Sequence, residues 1–216
     1  MKKYLINGLM PLIVCVTSNV NAEVCLMSGA TQLPTGSLFA LGPTLAGLIR
    51  DYPGIDTALM NAAATWNATD AVGRIAGGSG VVSTTDCPSN TSWGSYLIGA
   101  YRFSEAFCMS NPVIGATSLV AYTHPESHSI AFNYDRAWSV TGTPLSGQFD
   151  FQHVATHEFG HLLGVGHQTN GVCGEIGDKT CADNGSIETM NWMTNTGETC
   201  YRTLEANDKQ SVNWFY

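Results

Sequence analysis

Residues 155–169 read ATHEFGHLLGVGHQT. Three of the chain's six histidines, His157, His161 and His167, fall in this stretch, with Glu158 beside the first and glycines at Gly160, Gly164 and Gly166. On an α-helix, residues four apart lie on one face about a turn apart, so His157 and His161 point the same way, close enough to share a metal ion. Neutral imidazole is a good zinc ligand, but zinc needs a third protein ligand. A continued helix would carry His167 to another face. Gly164 can adopt a left-handed conformation, end the helix and turn the chain back, which predicts that His167 approaches from the other side. Glu158 flanks the pair without being forced to ligate, the place for a general base acting on an activated water. Gly160 is expected to leave room for close packing or for substrate.

Working outward, Asp150 reads as the N-cap of this helix, expected over Phe151 to Leu163. Upstream, TSLVAYTH and HSIAFNY carry β-branched and aromatic residues in partial alternation and read as strands. GIDTALMNAAATWNAT spaces Ile55, Leu59, Ala63 and Trp66 as one helical face. GRIAGGSGVVSTTDCPSNTSWGS is strand and loop. Downstream, a polar, Gly-rich, Cys-containing loop is expected from about Gln168 to Ser186. In TLEANDKQSVNWFY, Asp208, Val212 and Phe215 share a face, which predicts a terminal helix. His153 also lies four residues before His157, but Glu158 and Gly164 fit only the 157/161/167 frame. It is expected near the helix start, at the surface or supporting the ligands.

A chain of 216 residues is most simply one domain, and 44% hydrophobic against 12% charged residues is enough apolar material for a core rather than a disordered tail. Residues 1–22 read as a secretory signal peptide: Lys2 and Lys3, an apolar run from Leu5 to Val16, and the small-residue site Val20-Asn21-Ala22. The run is too short to span a bilayer. Residues 23–216 then form a single secreted domain, extracellular or periplasmic. Cleavage removes two of the nine Lys+Arg and none of the 17 Asp+Glu, so the formal charge of −8 becomes −10. That excess argues against nucleic acid or an anionic membrane surface as partner. Cys15 leaves with the signal. Cys25, Cys87, Cys108, Cys173, Cys181 and Cys200 remain, an even set that reads as disulfides. No Cys-x-x-Cys pair suggests a zinc site. Fifteen connectivities exist for six cysteines, with Cys87–Cys108 and Cys173–Cys181 the favoured local bridges.

The pattern His-Glu-x-x-His-x-x-Gly-x-x-His at 157–167 resembles that of the metzincin zinc endopeptidases. SIAFNYDRAWSVTGTPLSGQFDFQHVATHEFGHLLGVGH (129–167) is similar to the matrixin branch, as are TGETCYRTLEANDKQSVNWFY (196–216) at the C-terminal helix and ALMNAAATWNA (58–68) at the first helix. The likeness covers most of 55–216 and is weakest from about 73 to 115. It implies an α+β fold: a metzincin-type, two-lobed catalytic domain with a twisted mixed sheet, an active-site helix and a C-terminal helix. The upper lobe would run to about 164 and the lower lobe over 165–216.

The resemblance further implies one catalytic Zn²⁺ on His157, His161 and His167, with Glu158 as general base. A Met-turn would lie beneath the metal and not ligate it. Met190 and Met193 compete for that place, and Met190 is preferred. Trp192, where related clans carry a tyrosine, has no oxygen to offer. The implied substrate is a protein or peptide in extended conformation along an edge strand such as Thr117–Tyr122, and the implied state is a monomer. Other features fit less well. The stretch from His167 to Met190 is long for a matrixin. Ala131 stands where a second zinc would need a histidine, with only His124 and His128 nearby. Calcium at Asn133 and Asp135, or at Asp178 and Asp183, has no supporting pattern. Cys25 is open to two readings, a prosegment ligand of the metal or a disulfide partner, and the disulfide is preferred. Two other classes are compatible with the motif: a catalytically silent zinc fold acting in binding or adhesion, against which the intact Glu158 speaks, and a hydrolase of non-protein substrates.

Overall fold

The computed structural model of the chain describes residues 4–5, 14–17, 23–41, 43–71, 74–81, 97–101, 119–124, 127–174, 181 and 187–216. From the N-terminus, β1 (Tyr4–Leu5) and β2 (Val14–Thr17) precede β3 (Glu23–Leu26), β4 (Ser37–Leu41), α1 (Pro43–Asp51), α2 (Ile55–Asn67), β5 (Ile75–Val81) and β6 (Leu97–Tyr101). The second half contains β7 (Ala121–His124), β8 (Ser129–Asn133), β9 (Trp138–Ser139), β10 (Phe149–Asp150), α3 (Phe151–Leu162), β11 (Gln168–Thr169), β12 (Val172–Cys173), β13 (Met193–Thr194), a 3₁₀ turn (Cys200–Arg202) and α4 (Ala206–Phe215).

Five strands form a mixed sheet in the order β5-β4-β6-β8-β7. The β4–β5, β4–β6 and β6–β8 pairs are parallel, and β7 runs antiparallel to β8. The reversal follows from chain length. Only residues 125–128 separate β7 from β8, far fewer than a parallel crossover needs, and His128 takes a positive φ of 51° in that turn. The expected α+β class therefore holds, and β7 is an edge of the sheet among the described residues.

The expected helix α2 buries Ile55, Leu59, Ala62, Ala63 and Trp66 along one face. Its Trp66 ring is wholly buried, and the indole N–H donates to Thr156 O of α3 at 2.7 Å. That single bond fixes α2 across α3 and satisfies the polar tip of a buried tryptophan. At the other end of α3, Phe132, Trp138, Phe149 and Phe151 form a ring cluster with centroids 4.6–6.2 Å apart. The cluster fixes the entry of α3, and each fully buried ring of this kind contributes about 1.5–3 kcal/mol.

The strand expectations at β7 and β8 and the terminal helix α4 are met, the last with Asp208 and Val212 fully buried. Several elements went unforeseen. β4 and α1 lie where no element was expected; Gly47 weakens α1 by about 1 kcal/mol relative to alanine, and burial of Leu45 and Leu48 offsets it. The stretch after His167 does not begin as plain loop but as the β11–β12 hairpin, turned at Asn170 (φ 54°) and Gly171 (φ 72°). Asn-Gly is a strong two-residue hairpin signal, and it was legible in the sequence. Within residues 1–22, β1 pairs with β13 and β2 with β3, both antiparallel.

Candidate metal centre

Asp150 is the N-cap of α3, as expected: its carboxylate accepts from His153 N–H at 2.9 Å. The same carboxylate takes a bidentate contact from Arg202, Nε to Oδ1 at 2.8 Å and the terminal nitrogen to Oδ2 at 2.5 Å. A buried carboxylate needs such a partner, and the pair ties the start of α3 to the 3₁₀ turn.

The far end of α3 closes at Gly164. Its φ is 84°, its N–H donates to His161 O at 3.0 Å, and Val165 N–H donates to Gly160 O at 2.9 Å. These are the two bonds of a Schellman stop. The turn brings His167 back, so that its ring centroid lies 4.7 Å from that of His161 and 5.3 Å from that of His157. A Cβ on Gly160 would meet Met190 Sδ at 2.1 Å and Trp66 Cζ2 at 2.7 Å, so Gly160 serves close packing. Gly166 makes room for a crossing strand: a Cβ there would lie 3.3 Å from the backbone of Leu26.

Two imidazoles are oriented by carbonyls. His157 Nδ1–H donates to Thr189 O at 2.7 Å and His161 Nδ1–H donates to Val165 O at 2.9 Å. Both rings therefore present Nε2 lone pairs inward. His157 Nε2 is buried without a hydrogen-bond partner, and His161 Nε2 lies 3.1 Å from His167 Nε2. Nitrogens on a tetrahedral zinc at about 2.0–2.1 Å would stand about 3.3 Å apart. A buried acceptor left unpaired costs about 1–3 kcal/mol, which a cation between the rings would relieve. Burial, with His161 and His167 adding repulsion, holds His157 well below the ordinary imidazole range, and burial together with His167 holds His161 down to about 3. The neutral form required of a metal ligand is thus favoured, and the residues fit a zinc ion.

Glu158 is buried beside the triad. Thr123 Oγ1, from the edge strand β7, donates to Glu158 Oε2 at 2.5 Å and lies 3.1 Å from Glu158 O. Oε1 has no hydrogen-bond partner. Burial pushes the carboxyl up to about 8, and the Thr123 hydroxyl opposes that rise. A dication at the histidines would favour the ionised form.

Met190 lies within a turn that Asn191 N–H closes by donating to Glu188 O, and its thioether packs at Gly160 of α3. Met193 instead lies in β13. The buried Asp208 carboxylate accepts from Thr189 N–H, Met190 N–H and Gln168 Nε2 at 2.7–3.2 Å, and from Glu205 N–H in the capping box of α4. One carboxylate thus joins the methionine turn, the residue after His167 and the terminal helix. Even with those donors, burial raises it to about 6.

The matrixin family profile matches residues 108–172, which include the whole triad, Glu158, Thr123 and Gly164. That stretch is similar to the matrixin family. A 43-residue stretch is 44% identical to Metalloendoproteinase 1 of Glycine max, covering 18% of this chain and 14% of that protein. The chain therefore spans only a small part of the curated relative it matches. His157, His161 and His167 have converging ligand atoms, as does one other group among the described residues, His153 with Cys181 and Cys200. The two sulfurs of that second group are joined to each other.

Around the histidine triad, several expectations change. The Cys173–Cys181 bridge does not form; the bonds are Cys25–Cys173 and Cys181–Cys200. The β11–β12 hairpin turns Cys173 toward β3, leaving Cys181 to pair with the 3₁₀ turn. Cys25 is thereby a disulfide partner, as preferred. Cys87 and Cys108 lie outside the described residues, as do Asp178 and Asp183. His153 is not at the surface. It is 1% exposed, stacks on Tyr201 at 4.0 Å, accepts from Tyr201 N–H at Nδ1 and donates from Nε2 to Thr194 Oγ1. The Tyr201 hydroxyl is engaged too, donating to Met193 O at 2.6 Å. His124 Nδ1 is bonded to Ser127, and Asn133 Oδ1 accepts from Asp135 N–H, so these side chains are committed within their own turns. Sequence reasoning missed Thr123, Tyr201 and the hub role of Asp208.

Proposed function

We propose that the chain is a zinc-dependent endopeptidase, exported after loss of residues 1–22. One observation carries this reading: three buried imidazoles converge, two of them with Nε2 lone pairs fixed inward by carbonyls, beside a carboxylate with one oxygen anchored and the other without a hydrogen-bond partner. His157, His161 and His167 would hold one zinc ion. When bound, zinc supplies Lewis acidity, lowering the pKa of a water toward about 7 and stabilising negative charge on a carbonyl oxygen.

Glu158 is the general base. Thr123 holds Oε2, so Oε1 receives the proton and later delivers it to the leaving amine. Met190 forms the apolar floor under the histidines and does not ligate. A peptide in extended conformation would add to the edge strand β7, which carries Thr123, and so place its scissile carbonyl near Glu158. The two-lobed division falls at Gly164, with His167, Met190 and α4 in the lower lobe. The excess of acidic residues disfavours nucleic acid, and no helix among the described residues is long and apolar enough to cross a membrane. A monomer suffices, since every proposed group comes from one chain.

The test is digestion of a proteome-derived peptide mixture followed by mass spectrometry, with Glu158→Ala as control. New internal cleavages are expected from the native protein. They should be abolished by a zinc chelator and reduced about 10²–10⁴-fold by the substitution. A zinc-loaded protein that cleaves nothing would instead support a binding role, and equal cleavage by the variant would remove Glu158 from the mechanism.

A further inference from the structure

The arm that carries His167 is held at both ends by one residue, Cys25. At the near end, Gly166 N–H donates to Cys25 O at 2.9 Å, flanked by the antiparallel bridge Leu26–Val165 and by Met27 N–H donating to Gly164 O at 2.8 Å. At the far end, Cys173 is bonded to Cys25 through sulfur, while Cys173 N–H donates to Glu23 Oε2 and Glu23 N–H donates to Gly171 O, each at 2.9 Å. His167 lies between these attachments, and its own carbonyl accepts from Gly174 N–H. Cys25 is anchored in turn: it is fully buried, and its N–H donates to Ser211 Oγ of α4 at 3.0 Å.

His157 and His161 need no such support, because α3 orients them. His167 stands beyond the helix stop on a short arm, and an arm free to move would have to be ordered each time the metal binds. We infer that Glu23–Met27, locked to the arm by the Cys25–Cys173 bond, is a positioning clasp for His167, so that opening this bond weakens metal binding through that histidine alone. Preorganisation of this kind raises affinity by removing an ordering cost from the binding step. The inference rests on the reading of the three histidines as a metal site.

The experiment is a zinc competition titration against a chromophoric chelator, with circular dichroism on every protein. The Cys25→Ala/Cys173→Ala variant should bind zinc about 10–100-fold more weakly, the range seen when a supporting partner of a ligand is lost. Cys181→Ala/Cys200→Ala should bind nearly as the native protein does. In a His167→Ala background, removing the Cys25–Cys173 bond should change zinc affinity no further, an outcome that general destabilisation would not produce. Equal affinity with and without the bond would overturn the clasp while leaving the metal site intact. So would equal losses in the two disulfide variants, or a further loss in the His167→Ala background. Failure of the native protein to bind zinc at all would remove both readings together. If the double variant does not fold, Glu23→Ala decides. It keeps the bond and removes the carboxylate under Cys173 N–H, and it should release zinc faster to excess chelator. An unchanged rate would refute the clasp.

Discussion

Gly164→Val tests the geometry on which the third histidine depends. The native φ of 84° is a conformation that a β-branched residue rarely adopts, and the strain is about 1–3 kcal/mol. Space is also short, since a Cβ would stand 2.9 Å from Phe215 Cε1 and 3.0 Å from Ala30 Cβ. Overpacking of that kind adds about 1–3 kcal/mol. The total, roughly 2–6 kcal/mol, can be relieved by abandoning the left-handed turn. That breaks the Gly164–His161 and Val165–Gly160 bonds and the bond from Met27 N–H to Gly164 O, and it carries His167 away from its partners. His157 and His161 stay on α3. The expected result is a loss of zinc affinity of at least tenfold, corresponding to about 1.4 kcal/mol, with helicity nearly retained. The assay is zinc competition with far-UV circular dichroism, and Gly164→Ala should show a smaller loss in the same direction. Unchanged affinity with unchanged helicity would refute the turn as the device that delivers His167. Affinity lost only in proportion to lost helix would refute it as well.

Elemental analysis of the purified protein after zinc loading should give about one zinc per chain, the stoichiometry of a single triad; two would call for a second site among groups not assigned here. Thr123→Val removes the donor to Glu158 Oε2 and should lower kcat/KM about 10–100-fold, as for loss of a hydrogen bond to a charged group. The acid limb of its pH profile should move upward, because the lost bond is the one that opposes the rise caused by burial, and an unmoved limb would show that Thr123 does not tune the base. Burial, with Arg202 adding to it, holds His153 down to about 3. The unfolded chain therefore takes a proton at this residue between pH 6.5 and 3 while the folded chain does not. This contribution is complete above 6.5 and is lost as the pH falls, by about 1.4 kcal/mol per unit. Urea unfolding at pH 7 and pH 5 should show a smaller pH dependence for His153→Gln than for the native protein, by about 2 kcal/mol. Equal dependence would mean that His153 is protonated when folded.

The sequence by itself determined whatever depends on neighbours within a few turns of chain. His157 and His161 share a face because helical periodicity allows nothing else. Asp150 had to cap α3, Gly164 had to stop it, and the face carrying Asp208 and Val212 had to turn inward. Tertiary structure decided the rest, because no local pattern records which distant groups will meet. Thr123 reaches Glu158 across 35 residues, and Met190, preferred over Met193 by likeness alone, packs its thioether at Gly160. His153 was expected near the helix start, at the surface or supporting the ligands, and Tyr201 covers it from 48 residues away. The cysteines show the reason most plainly. A short bridge from Cys173 to Cys181 has the lower loop-closure cost, but going to a separation of 148 raises that cost by only about 2.5 kcal/mol, since it grows with the logarithm of loop length. An Asn-Gly turn that aims Cys173 at β3, and a strand already bonded to the His167 arm, outweigh so small a difference.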